Sequence, residues 1–260
     1  MLEELAEDVE VLLPPHPAVT REDWVDCVVV DGGSAYPPLN AVHRLRLGVE
    51  DLDERIAAVR RWFRGRDRRE FTWWVGRSAT PPDLGARLKE RGAAPYPDEP
   101  LVTSMVLTEP PPRVEGVDVR RVETYDDYVA AQEIGWESTG FSEEQRADGR
   151  ATLRERWDEY RNRADSAVYL AFQDGEPVAR GALILLPFAG FLSGAGTLEH
   201  SRGRGAFRAL VRARWDEAVR RGTPALIVGA GAMSRPILER LGFRAVADTE
   251  ILLDRAMIEA

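Results

Sequence analysis

One cysteine, Cys27, and three histidines are the only thiol and imidazole groups in 260 residues. No intramolecular disulfide can form, and a Cys-based metal site is excluded. Cys27 reads as a small buried hydrophobe, with a nucleophilic role as the alternative. Lysine is almost missing: Lys89 stands alone against many arginines, a bias of composition. No apolar run approaches the ~18 residues of a membrane span. The opening "MLEELAEDVEVLL" is acidic and lacks the basic start of a secretory signal, so a cytoplasmic location without a membrane partner is expected. Positive charge is short as well. A net charge of -9 argues against nucleic acid as a partner, because phosphate contacts need a basic face. A small anionic ligand held by a local arginine cluster remains open.

What is present is a long alternation of strand and helix patterns. "TEPPPRVEG", Thr108 to Gly116, fits neither a helix nor a central strand, and a domain boundary is expected there, giving 1–112 and 113–260. In the second part, Val117–Val122 reads as a strand, and Tyr125–Glu137 and Glu143–Arg161 as helices. Ala167–Phe172 and Val178–Leu186 form an antiparallel pair around the Asp174-Gly175 turn. Gly190–Leu198 is a third strand. Phe207, Leu210, Val211, Arg214, Trp215 and Ala218 then recur at helical spacing up to Gly222. Ala225–Gly229, Met233–Leu241 and Thr249–Leu253 follow as strand, helix and strand.

The first part repeats that order in short form. "HRLRL" (His43 to Leu47) reads as a strand, Val49 to Phe63 as a helix, Phe71–Val75 as a strand, Thr80–Gly92 as a helix and Val102–Leu107 as a strand. "LKERGA" (Leu88 to Ala93) and "LERLGF" (Leu238 to Phe243) occupy matching places, which points to an internal duplication.

Between the third strand and its helix lies "HSRGRGAFRAL", His200 to Leu210. A strand, a glycine-rich loop and a helix N-terminus make an anion site: unpaired N–H groups point outward and glycine lets a phosphate approach. Arg202 and Arg204 add forked donors. A solvated arginine loop is the alternative. No G-x-x-x-x-G-K-[ST] occurs, so a P-loop is excluded. "GAGAMS" (Gly229 to Ser234) lacks the third glycine and the following sheet of a dinucleotide fold.

On these residues the chain from about Val117 to Arg255 resembles the GCN5-related N-acetyltransferase (GNAT) superfamily, whose acetyl-CoA motif is [Q/R]-x-x-G-x-[G/A]. Arg202 fills the first position and Gly205 the fourth, while Phe207 departs from the small sixth residue. The resemblance implies a mixed α/β fold with a mostly antiparallel central sheet flanked by helices. It also implies acetyl-CoA as cofactor, with the pyrophosphate on Arg202, Gly203, Arg204, Gly205, Ala206 and Phe207. The Ala195–Leu198 backbone would hold the pantetheine and carbonyl, with Leu198 among the contacts, and Ser234 would stand at the small position of the later loop. The first part looks like a shortened copy, as in tandem-GNAT proteins with a degenerate first domain. Its Glu50, Asp51, Asp53 and Glu54 would repel a pyrophosphate, so one CoA per chain is expected.

Family chemistry is direct attack of an amine on the thioester, which makes a small-molecule amine acceptor the expected partner. Candidate bases are Glu199, His200, Glu133 and Glu137. The family's acid is a tyrosine where this chain has Leu238, and an asparagine is replaced by Gly231. Tyr169 or water can substitute, since a thiol leaves with a pKa near ~8.5. Trp73, Trp74, Trp136, Phe141 and Trp157 line a pocket or fill the core. Arg180 either binds an acceptor carboxylate or sits at an edge. Exposed aromatics would indicate a homodimer. Non-catalytic CoA binding and another acyl-CoA reaction are the competing functions.

Overall fold

Runs of strands and helices follow one another along the computed structural model, which describes residues 2–256. The chain divides into two compact units. Of the described residues, the first comprises 2–105, 229–239 and 244–256, and the second 106–228 and 240–243.

The chain enters the first unit through α1 (Leu2–Glu7), β1 (Thr20–Asp23), β2 (Val28–Asp31) and β3 (Asn40–His43). It continues with α2 (Leu52–Arg64), β4 (Glu70–Val75), α3 (Leu84–Glu90), β5 (Ala94–Pro95) and β6 (Leu101–Leu107). Leu52, Ile56, Val59 and Phe63 recur at helical spacing, and α2 buries that stripe against Val42, Phe71 and Trp73. Strands β1, β2 and β3 pair antiparallel, and β3 pairs parallel with β4 over Ala41↔Thr72 and Val42↔Trp73.

The second unit holds β7 (Asp118–Arg121), α4 (Tyr125–Ser138), α5 (Glu143–Ala151), α6 (Leu153–Arg161), β8 (Ser166–Gln173) and β9 (Glu176–Leu185). Then come β10 (Gly190–Thr197), α7 (Ala206–Arg220) and β11 (Leu226–Ala230). Asp174 and Gly175 both have positive φ, as the tight β8–β9 turn requires. Side chains alternate across β8: Val168 and Leu170 pack under α4 and α6, Tyr169 and Ala171 under α7. Strands β7 to β10 pair antiparallel, whereas β10 and β11 pair parallel over only Gly190↔Leu226 and Phe191↔Ile227. The brief parallel pairing of β3 with β4 in the first unit has the same length, which agrees with duplication.

Two further elements, α8 (Arg235–Arg240) and β12 (Arg244–Arg255), close the chain. The expected division at 112/113 placed both in the second domain, but most of this segment belongs to the first unit. The reason is a long-range pairing: β12 pairs with β4 from Glu250↔Val75 to Arg255↔Glu70. Its buried Asp254 accepts hydrogen bonds from Trp73 Nε1 at 2.9 Å and Arg60 Nε at 3.2 Å.

Several element expectations need correction. "HRLRL" is not a strand, because β3 stops at His43 and Arg44 turns left-handed at φ 50°. The helix expected from Thr80 begins at Leu84: the Thr80 backbone is tied to Leu45 and Leu47 by bonds of 3.1 Å each. Glu143–Arg161 is two helices that meet at Thr152.

Candidate active site

The site in the second unit starts at an irregularity in β10. Its register against β9 jumps between Ser193↔Ala182 and Gly196↔Arg180, so Gly194 and Ala195 face the single residue Gly181. This is a β-bulge, and Gly194 takes φ 50° within it. Beyond Phe191, β10 leaves β11. The pairing of the two parallel strands therefore ends before the bulge. The C-terminal part of α4 lies over the bulge so closely that a Cβ on Gly196 would overlap Ser138 Oγ.

After β10, Glu199–Ser201 makes one 3-10 turn, and the chain passes through Gly203 (φ 79°) and Gly205 (φ 93°) into α7. Gly205 is the cap residue of α7 and accepts from the Ala209 amide at 3.0 Å. Among the described residues, no acceptor reaches the amides from Gly203 to Arg208. Those of Ala206, Phe207 and Arg208 are the ordinary free donors of a helix start; the two glycines and Arg204 extend the row. Arg202, Arg204 and Arg208 are exposed around it. Donor density and cationic charge therefore coincide, as a pyrophosphate requires.

The loop is braced from β8, where Gln173 Nε2 donates to the Arg204 carbonyl at 3.0 Å. Arg204 Nη2 also reaches Asp174 at 3.1 Å, and Arg202 Nε makes a long bond to Thr197 O at 3.4 Å. Beside the β8–β9 turn lies a cleft of about 450 Å³, lined by Gly116, Val117, Asp118, Arg120, Phe172, Asp174 and Gly175. Gln173 and the buried Ser201, whose hydroxyl has no partner, were missed in the sequence. Arg208 was missed too, although its place in the first turn of α7 was legible.

Other sequence candidates fall elsewhere. The Leu198 amide is already used by Val178 O at 3.0 Å, and its side chain packs towards α4. Ser234 lies in the first unit, in the turn before α8, with its hydroxyl donating to Gly231 O at 3.3 Å. Leu238 is fully buried. Glu199 and His200 are exposed in the 3-10 turn.

Glu133 and Glu137 share a helix face that turns towards α5. Arg150 grips Glu133 with bonds of 2.6 and 2.9 Å, and this hydrogen bonding holds the carboxyl below its usual range. Glu137 lies 4.0 Å from Arg146. The residues of α4 nearest to Gly196 of β10 are instead Ile134 and Ser138. Tyr169 donates to Glu217 Oε2 at 3.2 Å, and burial pushes its phenol up to about 12. Glu217 is also about 16 Å along α7 from Ala206, at 1.5 Å per residue. Tyr169 is therefore committed to the far end of the helix. Trp73, Trp136 and Trp157 are core residues. The exposed large apolar side chains among the described residues are Val19, Val25, Leu39, Val49, Leu101, Val219 and Met233. No helix among the described residues is long and apolar enough to cross a membrane.

A bulged strand followed by a loop of free amides and a helix is thus built into the α/β sheet of the second unit. Residues 127–243 match the model of the acetyltransferase (GNAT) family, and this segment is a GNAT-family domain. Solved structures extend the likeness in fold. A GCN5-related N-acetyltransferase from Kribbella flavida superposes with a TM-score of 0.71 at 18% identity, covering 97% of this chain and 95% of that one. A tandem GNAT protein from the clavulanic acid biosynthesis pathway gives 0.64 at 16% identity, over 100% and 95%. A GCN5-related N-acetyltransferase from Sphaerobacter thermophilus gives 0.63 at 19%, over 90% and 82%. Comparison with curated proteins finds no match.

Proposed function

We propose that the second unit is an acetyl-CoA-dependent N-acetyltransferase that acts in the cytoplasm on a small-molecule amine. The observation that carries this reading is the row of unpartnered amides from Gly203 to Arg208 at the end of a bulged strand. These amides, with Arg202, Arg204 and Arg208, suit a pyrophosphate; the open edge of β10 suits an extended pantetheine. The chemistry supplied by the bound thioester is acyl transfer: the acceptor nitrogen forms a C–N bond as the C–S bond breaks, and the proton lost by nitrogen balances the departing thiolate.

Among the candidate bases, we assign proton removal to His200, with Glu199 beside it. Both are exposed and unclaimed by arginine, whereas Glu133 is gripped by Arg150. A neutral imidazole offers a ring nitrogen that can accept a proton. No side-chain acid is needed for a thiolate.

The first unit is proposed to bind no CoA. Asp51 stands at the N-terminal boundary of α2, and Asp53 and Glu54 occupy its first turn, where the positive helix end would otherwise meet a phosphate. Calorimetric titration with acetyl-CoA tests both statements. One site per chain is expected, weakened when Arg202→Ala and Arg204→Ala are combined. Unchanged affinity in the double variant overturns the loop assignment, and two sites overturn the degenerate first unit. A second reading, CoA binding without turnover, is favoured by the buried Leu238 and the committed Tyr169. Thiol release with pooled amines separates the two.

A further inference from the structure

Beneath the bulge of β10 lies a cation without an anion. Arg180 sits in the middle of β9, paired with Leu170 on β8 and Gly196 on β10, so it is not at a sheet edge. Its side chain runs under α4. A Cβ at Gly135 would meet Arg180 Cδ at 3.1 Å and Nη1 at 3.3 Å, and a Cβ at Gly194 would meet Nη1 at 2.9 Å. The two glycines are thus the residues that leave room for this guanidinium. Its Nε is enclosed and has no partner, while the residue as a whole keeps partial access to solvent.

The groups that face Arg180 are the wrong ones for a structural ion pair. They are the phenols of Tyr128 and Tyr160, Arg156 from α6 and, from the opposite face of the sheet, Arg214. No carboxylate is among them. Tyr160 is already occupied, donating to Val122 O at 3.0 Å and accepting from the Val168 amide at 3.2 Å. Among the described residues, Arg156 makes only a long bond, 3.4 Å, to Gln132 Oε1. Burial, reinforced by Arg156, pulls the Arg180 guanidinium down to about 10. The Tyr128 phenol is raised by burial, and both Arg156 and Arg180 act against that rise; Glu159 contributes the weakest effect. A buried charge is retained in proteins when it is paired, and removal of a partner leaves it strongly unfavourable. Arg180 has the environment of half a pair.

We infer that the missing half arrives with the substrate: the acetylated amine carries a carboxylate, which Arg180 receives on its fork with Arg156 and Tyr128 as further donors. The inference rests on the proposed reading of the β10 bulge as the place of the thioester. Contact of Arg180 with Gly194 puts the carboxylate-binding cation next to that place, so one acceptor can reach both. A planar guanidinium in a confined space matches the two oxygens of a carboxylate. Phosphate is served by the separate loop at the start of α7.

The test compares amino acids (the twenty L-amino acids, β-alanine and 5-aminovalerate) with their carboxamides, in the full chain. Binding is read by calorimetry in the presence of CoA, and turnover by thiol release from acetyl-CoA. Charge-assisted bonds to a guanidinium predict that at least one acid is preferred over its amide by about tenfold or more. Arg180→Gln should abolish this preference while acetyl-CoA affinity stays within about twofold. Arg156 is exposed, so Arg156→Gln gives a variant whose folding is not at risk, and it should reduce the preference several-fold. Acetyl-CoA binding without any distinction between acids and amides, including no binding of either, overturns the inference and leaves the transferase reading standing. So does an acid preference unmoved by both variants, or a stronger response to phosphoethanolamine than to every acid. Failure of acetyl-CoA itself to bind overturns the transferase reading and the assignment of Arg180 with it.

Discussion

Gln173 Nε2 donates to the Arg204 carbonyl at 3.0 Å, which joins the last residue of β8 to the loop before α7. The peptide between Arg204 and Gly205 is planar and trans, so its N–H points opposite to its C=O. By holding the carbonyl inward, Gln173 turns the Gly205 amide outward, into the row of free donors. Replacement by leucine should release this peptide. With about 1 kcal/mol lost per hydrogen bond, acetyl-CoA affinity is expected to fall roughly fivefold. Calorimetry checks this, and an unchanged dissociation constant would show that the loop is set by its own glycines.

The two loop glycines should differ in tolerance. Both take positive φ, which costs an alanine about 1–2 kcal/mol. A Cβ at Gly203 meets nothing, whereas at Gly205 it comes within 3.0 Å of Val114 Cγ1. Gly205→Ala is therefore expected to lower the melting temperature and CoA affinity more than Gly203→Ala does. Equal effects in thermal denaturation would remove the role given to Val114.

Glu217 supplies a prediction about acid. Its carboxyl is buried, which by itself raises its pKa. Hydrogen bonds from Arg221 and Tyr169, with Arg220 and Arg121 nearby, outweigh burial and leave the pKa lowered. The folded-state value then lies below the unfolded one, near ~4.3, so the stabilisation is present above that pH and is lost as pH falls through the folded value. Glu217→Gln should cost about 1–2 kcal/mol at pH 7 and flatten the decline of stability below pH ~4.5. Urea denaturation from pH 7 to 3 measures both.

His43 makes the first unit sensitive over a higher range. Burial holds its imidazole down at about 3, and its ring lies 5.1 Å from that of Trp74. Unfolded histidine takes a proton near ~6.5 and the folded side chain does not, so stability is complete above that pH and declines as pH falls towards 3. The slope contributed is at most about 1.4 kcal/mol per pH unit. His43→Phe should remove it, read as a smaller difference in unfolding free energy between pH 7 and pH 5.

Local chemistry made much of the second unit legible in advance. Asp174-Gly175 fixed the β8–β9 turn, and Gly203 and Gly205 marked the loop, because positive φ is a requirement that few residues meet. Elsewhere local pattern misled. Leu45 and Leu47 alternate like a strand and are buried like one, yet Arg44 breaks the backbone between them and β3. Thr80 carries every sign of a helix cap, but its backbone bonds to Leu45 and Leu47 delay the helix to Leu84. Glu133 looked like a free carboxylate on an exposed face until α5 brought Arg150 against it.

In the second unit the sequence by itself determined the order of strands and helices, the hairpin turn, and the position of the amide-lined loop, since each depends on residues within a few positions of one another. Tertiary structure alone decided that β12 pairs with β4, because the partners of Asp254 are Trp73 and Arg60, far away in the chain. It also decided that Arg180 faces Tyr128, Arg156 and two glycines with no carboxylate. Whether a charge is paired depends on what packing brings to it, and that packing is set by α4, α6 and β10 together.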